Sequence, residues 1–138
     1  MTIALLAHDN RKELMCEFCS AYSSVLERHK LVATSATATR IKNYAKLNDI
    51  TVLLPGSSGG VEQITSKICY GEVDIVIMFR DADRFSEDEH ELDLIKACDK
   101  YHVPYATNMI TGEIIVRSLD KGELDWLEYD HRKNNLTK

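Results

Sequence analysis

Along the chain, apolar positions switch repeatedly between a strand period and a helix period. Residues 2–7 form a near-continuous apolar run, the pattern of a strand covered on both faces. From Arg11 to Arg28, Leu14, Phe18, Tyr22 and Val25/Leu26 recur at helical spacing, which predicts one amphipathic helix. Residues 31–34 read as a second strand. Ser35-Ala36-Thr37-Ala38-Thr39 then reads as a small-residue loop, with Thr39 or a neighbour capping a helix that runs to Lys46. Asn48-Asp49 turns the chain into a third strand over 50–54. A helix from Gly59 to Tyr70 turns Ile64 and Ile68 inward, and Gly71 is placed to stop it. Residues 73–79 predict a fourth strand, and Ser86 and Glu89 have the spacing of a capping box before a helix to Tyr101. A fifth strand over 103–107 and a short helix over 111–118 follow. The tail from Glu123 carries Leu124, Trp126, Leu127 and Tyr129 and then turns polar.

Strands separated by helices predict a three-layer α/β/α sandwich around a five-stranded parallel sheet. No linker, repeat or low-complexity stretch interrupts the pattern, so residues 1–138 are expected to form one domain, long enough for a core without metal or disulfide support. A net charge of −5 without a long basic run argues against nucleic acid or an anionic membrane as partner. The first apolar run is too short for a signal peptide or a membrane span, and the four cysteines read as reduced thiols in cytoplasm. Cys16-Glu17-Phe18-Cys19 has CxxC spacing. It falls mid-helix without a second ligand pair, which favours core thiols over metal or redox work. His29, His102 and His131 stand among charged residues and read as solvated surface; the acidic run over 87–93 reads as a solvated helix start.

Candidate chemistry gathers in the loops. In parallel sheets ligands sit at the carboxyl ends of the strands, which here carry His8–Lys12, Thr34–Thr39, Pro55–Gly60 and Phe79–Asp83. The first supplies His8, Asp9 and Lys12, and the second Thr34 and Thr37. The third, Gly56-Ser57-Ser58-Gly59-Gly60, lies between a strand and a helix, where backbone N–H groups and the helix dipole suit an anion. The fourth supplies Asp81. Together they suit a small phosphorylated metabolite or inorganic phosphate, with no metal site indicated. Asp9 and Asp81 are also readable as loop caps. A phosphoacceptor receiver domain is excluded, because Leu54-Pro55 and Asn108 occupy the places of its strand-three Asp and strand-five Lys.

Five collinear segments carry a resemblance: Leu5-Leu6-Ala7-His8-Asp9 with Lys12, Ala33-Thr34-Ser35-Ala36-Thr37, Gly56-Ser57-Ser58-Gly59-Gly60, the stretch from Asp74 to Asp81, and Val103-Pro104-Tyr105-Ala106-Thr107-Asn108. In order and spacing, over residues 2 to 118, the chain resembles methylglyoxal synthase. The resemblance implies a homohexameric lyase that turns dihydroxyacetone phosphate into methylglyoxal and phosphate without metal or organic cofactor. It implies that His8 polarises the carbonyl, that Asp9 and Asp81 line the site, and that Lys12, Thr34, Thr37 and the Gly56–Gly60 loop hold the phosphate. The departures are specific. The family's proton-abstracting aspartate follows the Gly-Gly pair, where this chain has Val61, with Glu62 next to it. The family's His-Asp-Pro-Asp run is replaced by Glu87-Asp88-Glu89-His90, and Ala36 stands for a hydroxyl residue. Arg132 and Lys133 are candidates for the basic residue that the family lends to a neighbouring subunit. Two expectations follow: a synthase using Glu62, or else Asp9 or Asp81, as base, or a non-catalytic relative that binds a phosphorylated metabolite as a sensor.

Overall fold

The computed structural model describes residues 1–83 and 89–136. Five parallel strands form one sheet: β1 (Thr2–Ala7), β2 (Lys30–Ala33), β3 (Ile50–Val52), β4 (Ile75–Phe79) and β5 (Tyr105–Ala106), in the order β3-β2-β1-β4-β5. Among the described residues seven α-helices join and flank them: α1 (Lys12–Ala21), α2 (Ser23–Leu26), α3 (Ser35–Ala45), α4 (Gly60–Cys69), α5 (Glu89–Lys100), α6 (Met109–Asp120) and α7 (Trp126–Leu136). The period of two in a strand explains the layering. On β1, Ile3 and Leu5 enter one core with Phe18, Ile41, Val116 and Leu127, while Ala4 and Leu6 enter the other with Ile64, Ile68 and Leu94. Both faces of the sheet are therefore covered, with α4 and α5 on one side, as the unbroken apolar strands require.

Several boundaries differ from the sequence pattern. The helix expected from Arg11 to Arg28 is preceded by a 3₁₀ turn over Asp9–Arg11 and breaks at Tyr22 (φ −109°, ψ 21°). Its apolar spacing persists across the break, so periodicity alone did not reveal it. The segment read as a loop over 35–39 is the first turn and a half of α3, capped at Thr34; Thr39 lies inside the helix and donates to the Ser35 carbonyl (3.0 Å). The fifth strand is only two residues long, and α6 is longer than expected at both ends. Gly71 does end α4, at φ +72°. Of the expected capping box, Ser86 lies outside the described residues.

The tail is helical, and His131 is buried, not solvated. Leu127 and His131 occupy one stripe of α7, four residues apart, and pack onto the amino edge of the sheet. His131 Nδ1 lies 2.6 Å from Asp74 Oδ1, and Nε2 donates to the His102 carbonyl (2.9 Å). Asp74 Oδ2 accepts from the Thr2 N–H (2.9 Å). Burial alone would lower the His131 pKa, but its bonds to Asp74 and the His102 carbonyl, with the Asp74 charge, raise it above 6.5. Burial opposes the charge of Asp74 too, and the bonds from His131 and Thr2 hold it below 3.8. A raised histidine stabilises fully below its ordinary value of 6.5 and stops doing so as pH rises through its folded-state value. The depressed aspartate contributes above 3.8 and is lost as pH falls through its folded-state value. The melting temperature is accordingly expected to fall as the pH is raised from about 6 to about 9, and His131→Gln to flatten that fall. Parallel profiles for the two proteins would contradict the charged imidazole.

Candidate active site

The strand order places the two directions of winding on either side of the β1–β4 pair, and the crevice beyond their carboxyl ends is where such sheets bind ligands. His8 stands at that point. Its N–H continues the ladder to the Phe79 carbonyl (3.1 Å), and its side chain is buried. Nδ1 accepts the backbone N–H of Asp81 (2.9 Å), so the proton of the ring resides on Nε2, which donates to Glu91 Oε1. While these bonds stand the imidazole is neutral and fixed in one tautomer.

Lys12 opens α1 one turn further on. Its ammonium donates to the Ala7 carbonyl (2.9 Å) and to Asp9 Oδ1 (2.7 Å). The ammonium has three donors, and those bonds use two. Asp9 itself is fully exposed. On the β2 side, Thr34 caps α3, and its hydroxyl lies 3.4 Å from that of Thr37. Beyond β3, Pro55 leads into a 3₁₀ turn over Gly56–Ser58, Gly59 adopts φ +106°, and α4 begins at Gly60. The amino ends of α3 and α4 thus approach Lys12, an arrangement that suits an anion.

These elements enclose a cavity of about 250 Å³. His8, Asp9, Lys12, Thr34, Gly56 and Ser57 line it, together with Glu91 and an apolar wall that includes Val61 and Met78. The other sequence candidates do not form its lining. Thr37 is buried behind Thr34; Ser58, Gly59 and Gly60 shape the loop; the Asp81 carboxylate caps the N–H of Asp83 (3.0 Å) while its own N–H orients His8. Glu62 is half-exposed and pairs with His90 Nδ1 (3.2 Å).

Known proteins match the chain along most of its length. The family model described as the MGS-like domain matches residues 14–107. The chain is 44% identical over 137 residues to a methylglyoxal synthase of Clostridioides difficile, covering 97% of this chain and 98% of that one. It is 42% identical over 131 residues to that of Caldicellulosiruptor saccharolyticus, covering 93% and 91%. The chain belongs to the methylglyoxal synthase family. The crystal structure of methylglyoxal synthase from Elizabethkingia anophelis superposes with a TM-score of 0.76 at 28% identity, covering 83% of this chain and 76% of that one. The three-layer fold and five-stranded parallel sheet are those of the family, and the chain is a methylglyoxal synthase-like lyase.

The site holds one residue that the sequence pattern concealed. Glu91, in the run taken for a solvated helix start, is buried in the first turn of α5 and bonded to His8. A signal was present: Glu91, Leu94 and Cys98 share one helical stripe, and both apolar members are buried. Cys16 and Cys19 lie buried in α1, and burial pushes the Cys19 thiol up to about 12, well away from nucleophilic use. Arg132 lies by the opposite, amino edge of the sheet and pairs with Glu128 (3.2 Å); the Lys133 side chain lies outside the described residues.

Proposed function

We propose that the strand-end cavity converts dihydroxyacetone phosphate into methylglyoxal and inorganic phosphate. One observation carries the reading: a neutral imidazole, locked with its Nε2–H beside the cavity, shares that cavity with an anion cradle. Lys12, Thr34 and the Gly56–Ser57 turn hold the phosphate, with Lys12 as the charge and the loop and helix N–H groups as orienting donors. Thr37, Ser58, Gly59 and Gly60 support that cradle from behind. On substrate binding the His8 Nε2–H turns from Glu91 Oε1 to the substrate carbonyl oxygen, where charge develops. A carboxylate takes a proton from the hydroxymethyl carbon, and the C–H electron pair becomes the C=C bond of an enediolate. The terminal hydroxyl then gives up its proton as the double bond shifts and the carbon–oxygen bond to phosphate breaks. That proton leaves with phosphate, and the enolate takes up one proton to become methylglyoxal. No metal or organic cofactor enters these steps.

Three finer expectations belong to the reading: the whole chain as one catalytic domain, a homohexamer, and a place in the cytoplasm. Exposed Ile110 and Ile114 on α6, and Trp126 and Tyr129 on α7, support association with further copies. The helices of the described residues include none long and apolar enough to cross a membrane.

Lys12→Ala tests the cradle. Loss of one charge-assisted bond to phosphate is worth about 1.5–3 kcal/mol, so kcat/KM is expected to fall about ten- to a hundredfold, mainly through KM. An unchanged KM for dihydroxyacetone phosphate would remove Lys12 from phosphate binding.

A further inference from the structure

We infer that Glu91 is the base that removes the substrate proton. The inference rests on the reaction proposed above, which needs a carboxylate beside the carbon being deprotonated. The acids near the site can be taken in turn. Asp9 lines the cavity, but its carboxylate is fully exposed and already bound to Lys12. Asp81 turns its carboxylate to its own loop, and Glu62 pairs with His90 outside the lining. Val61 faces the cavity and accepts no proton.

Glu91 differs from all of these. It lines the cavity and is buried, with only 8% of its side chain exposed. Oε1 accepts from His8 Nε2, whereas Oε2 is fully buried and has no hydrogen-bond partner among the described residues. A buried carboxylate oxygen without a partner is costly, and a functional site is where such a group persists. One carboxylate therefore stands against the imidazole with one oxygen and keeps the other available. Once the substrate carbonyl takes the Nε2–H from Oε1, proton removal at carbon and hydrogen bonding at the carbonyl oxygen are adjacent events. α4 and α5 pack together. Val61 and Glu91 both sit in the first turn of their helices and line the same cavity. The carboxylate that the first turn of α4 does not present to the cavity, where Val61 stands and Glu62 pairs with His90, is supplied by the first turn of α5.

In the step itself, the substrate C–H bond breaks, its proton binds Glu91 Oε2, and its electron pair forms the enediolate double bond. Glu91 then returns the proton to the terminal carbon of the enolate, so the residue ends as it began.

Glu91→Gln separates this role from simple support of His8, since the amide oxygen still accepts the His8 N–H but the side chain takes up no proton. The expected result is a kcat lower by about 10²–10⁴-fold, with KM and the competitive effect of inorganic phosphate little changed. Exchange of the hydroxymethyl protons in deuterated water should be lost in parallel, and Glu91→Asp should recover part of both. Thermal melting of each variant controls for folding. Turnover by the unaltered chain with Glu91→Gln within tenfold of it overturns the assignment alone. No methylglyoxal from the unaltered chain overturns the reaction, and the assignment with it.

Discussion

Gly60→Ala is expected to destabilise the protein by about 3 kcal/mol, at the upper end for overpacking, and to reduce turnover by about a hundredfold or more. A Cβ at this position would stand 2.2 Å from the Leu54 carbonyl oxygen, 2.9 Å from that of Pro55 and 2.9 Å from Thr34 Cγ2. Two of those atoms are backbone, so no change of rotamer relieves the overlap. The loop leaving β3 would have to move away from α4, and Thr34 would be pushed in the other direction. Gly60 is thus where the β2 and β3 sides of the phosphate cradle are held together, and displacement by even about 1 Å is costly to a positioned reaction. Gly56→Ala provides the contrast, because nothing lies within 4 Å of the added carbon; it should unfold with the wild type. Urea unfolding of the two variants decides the matter. Gly60→Ala as stable as Gly56→Ala would refute this packing.

His8→Ala carries the second large effect, a loss of about 10²–10³ in kcat, comparable with removing one preorganised donor from an oxyanion site. The donor is preorganised because the Asp81 N–H occupies Nδ1 and leaves the only ring proton on Nε2. Removing the ring also deprives Glu91 Oε1 of its partner, inside a site where Oε2 already has none among the described residues. A loss of stability of about 1–3 kcal/mol should accompany the loss of rate. Because the bond to the carbonyl strengthens as charge develops, the change falls on kcat and leaves KM for dihydroxyacetone phosphate nearly constant. Lys12→Ala is expected to show the reverse split. A His8→Ala variant that altered only KM would make His8 a binding group.

The layering of the sheet and the placement of His8, Lys12, Thr34 and the glycine turn were legible because each depends on local order. Apolar runs mark buried strands, and loops after strands of a parallel sheet share one edge. What escaped the pattern depends on distant partners. His8 and Glu91 are separated by 83 positions, and among acidic neighbours Glu91 looks like solvated charge until α5 packs on α4. His131 has charged neighbours in sequence, yet α7 folds back to place it against Asp74, 57 residues away. In both cases the residue lies on the apolar stripe of its helix, which is the trace that burial left in the sequence. The start of α3 was missed for another reason. Its small residues suit a loop as well as a helix, and Thr34 caps it through backbone conformation without a side-chain bond.

The most direct test of the account is product stoichiometry from dihydroxyacetone phosphate with the purified chain, corrected for the spontaneous reaction. Methylglyoxal and inorganic phosphate are expected to appear in equal amounts, at a rate that Lys12→Ala and His8→Ala each reduce. Binding of inorganic phosphate in the cavity with no methylglyoxal above background would contradict the account and make Val61 the mark of a pocket that binds without turnover.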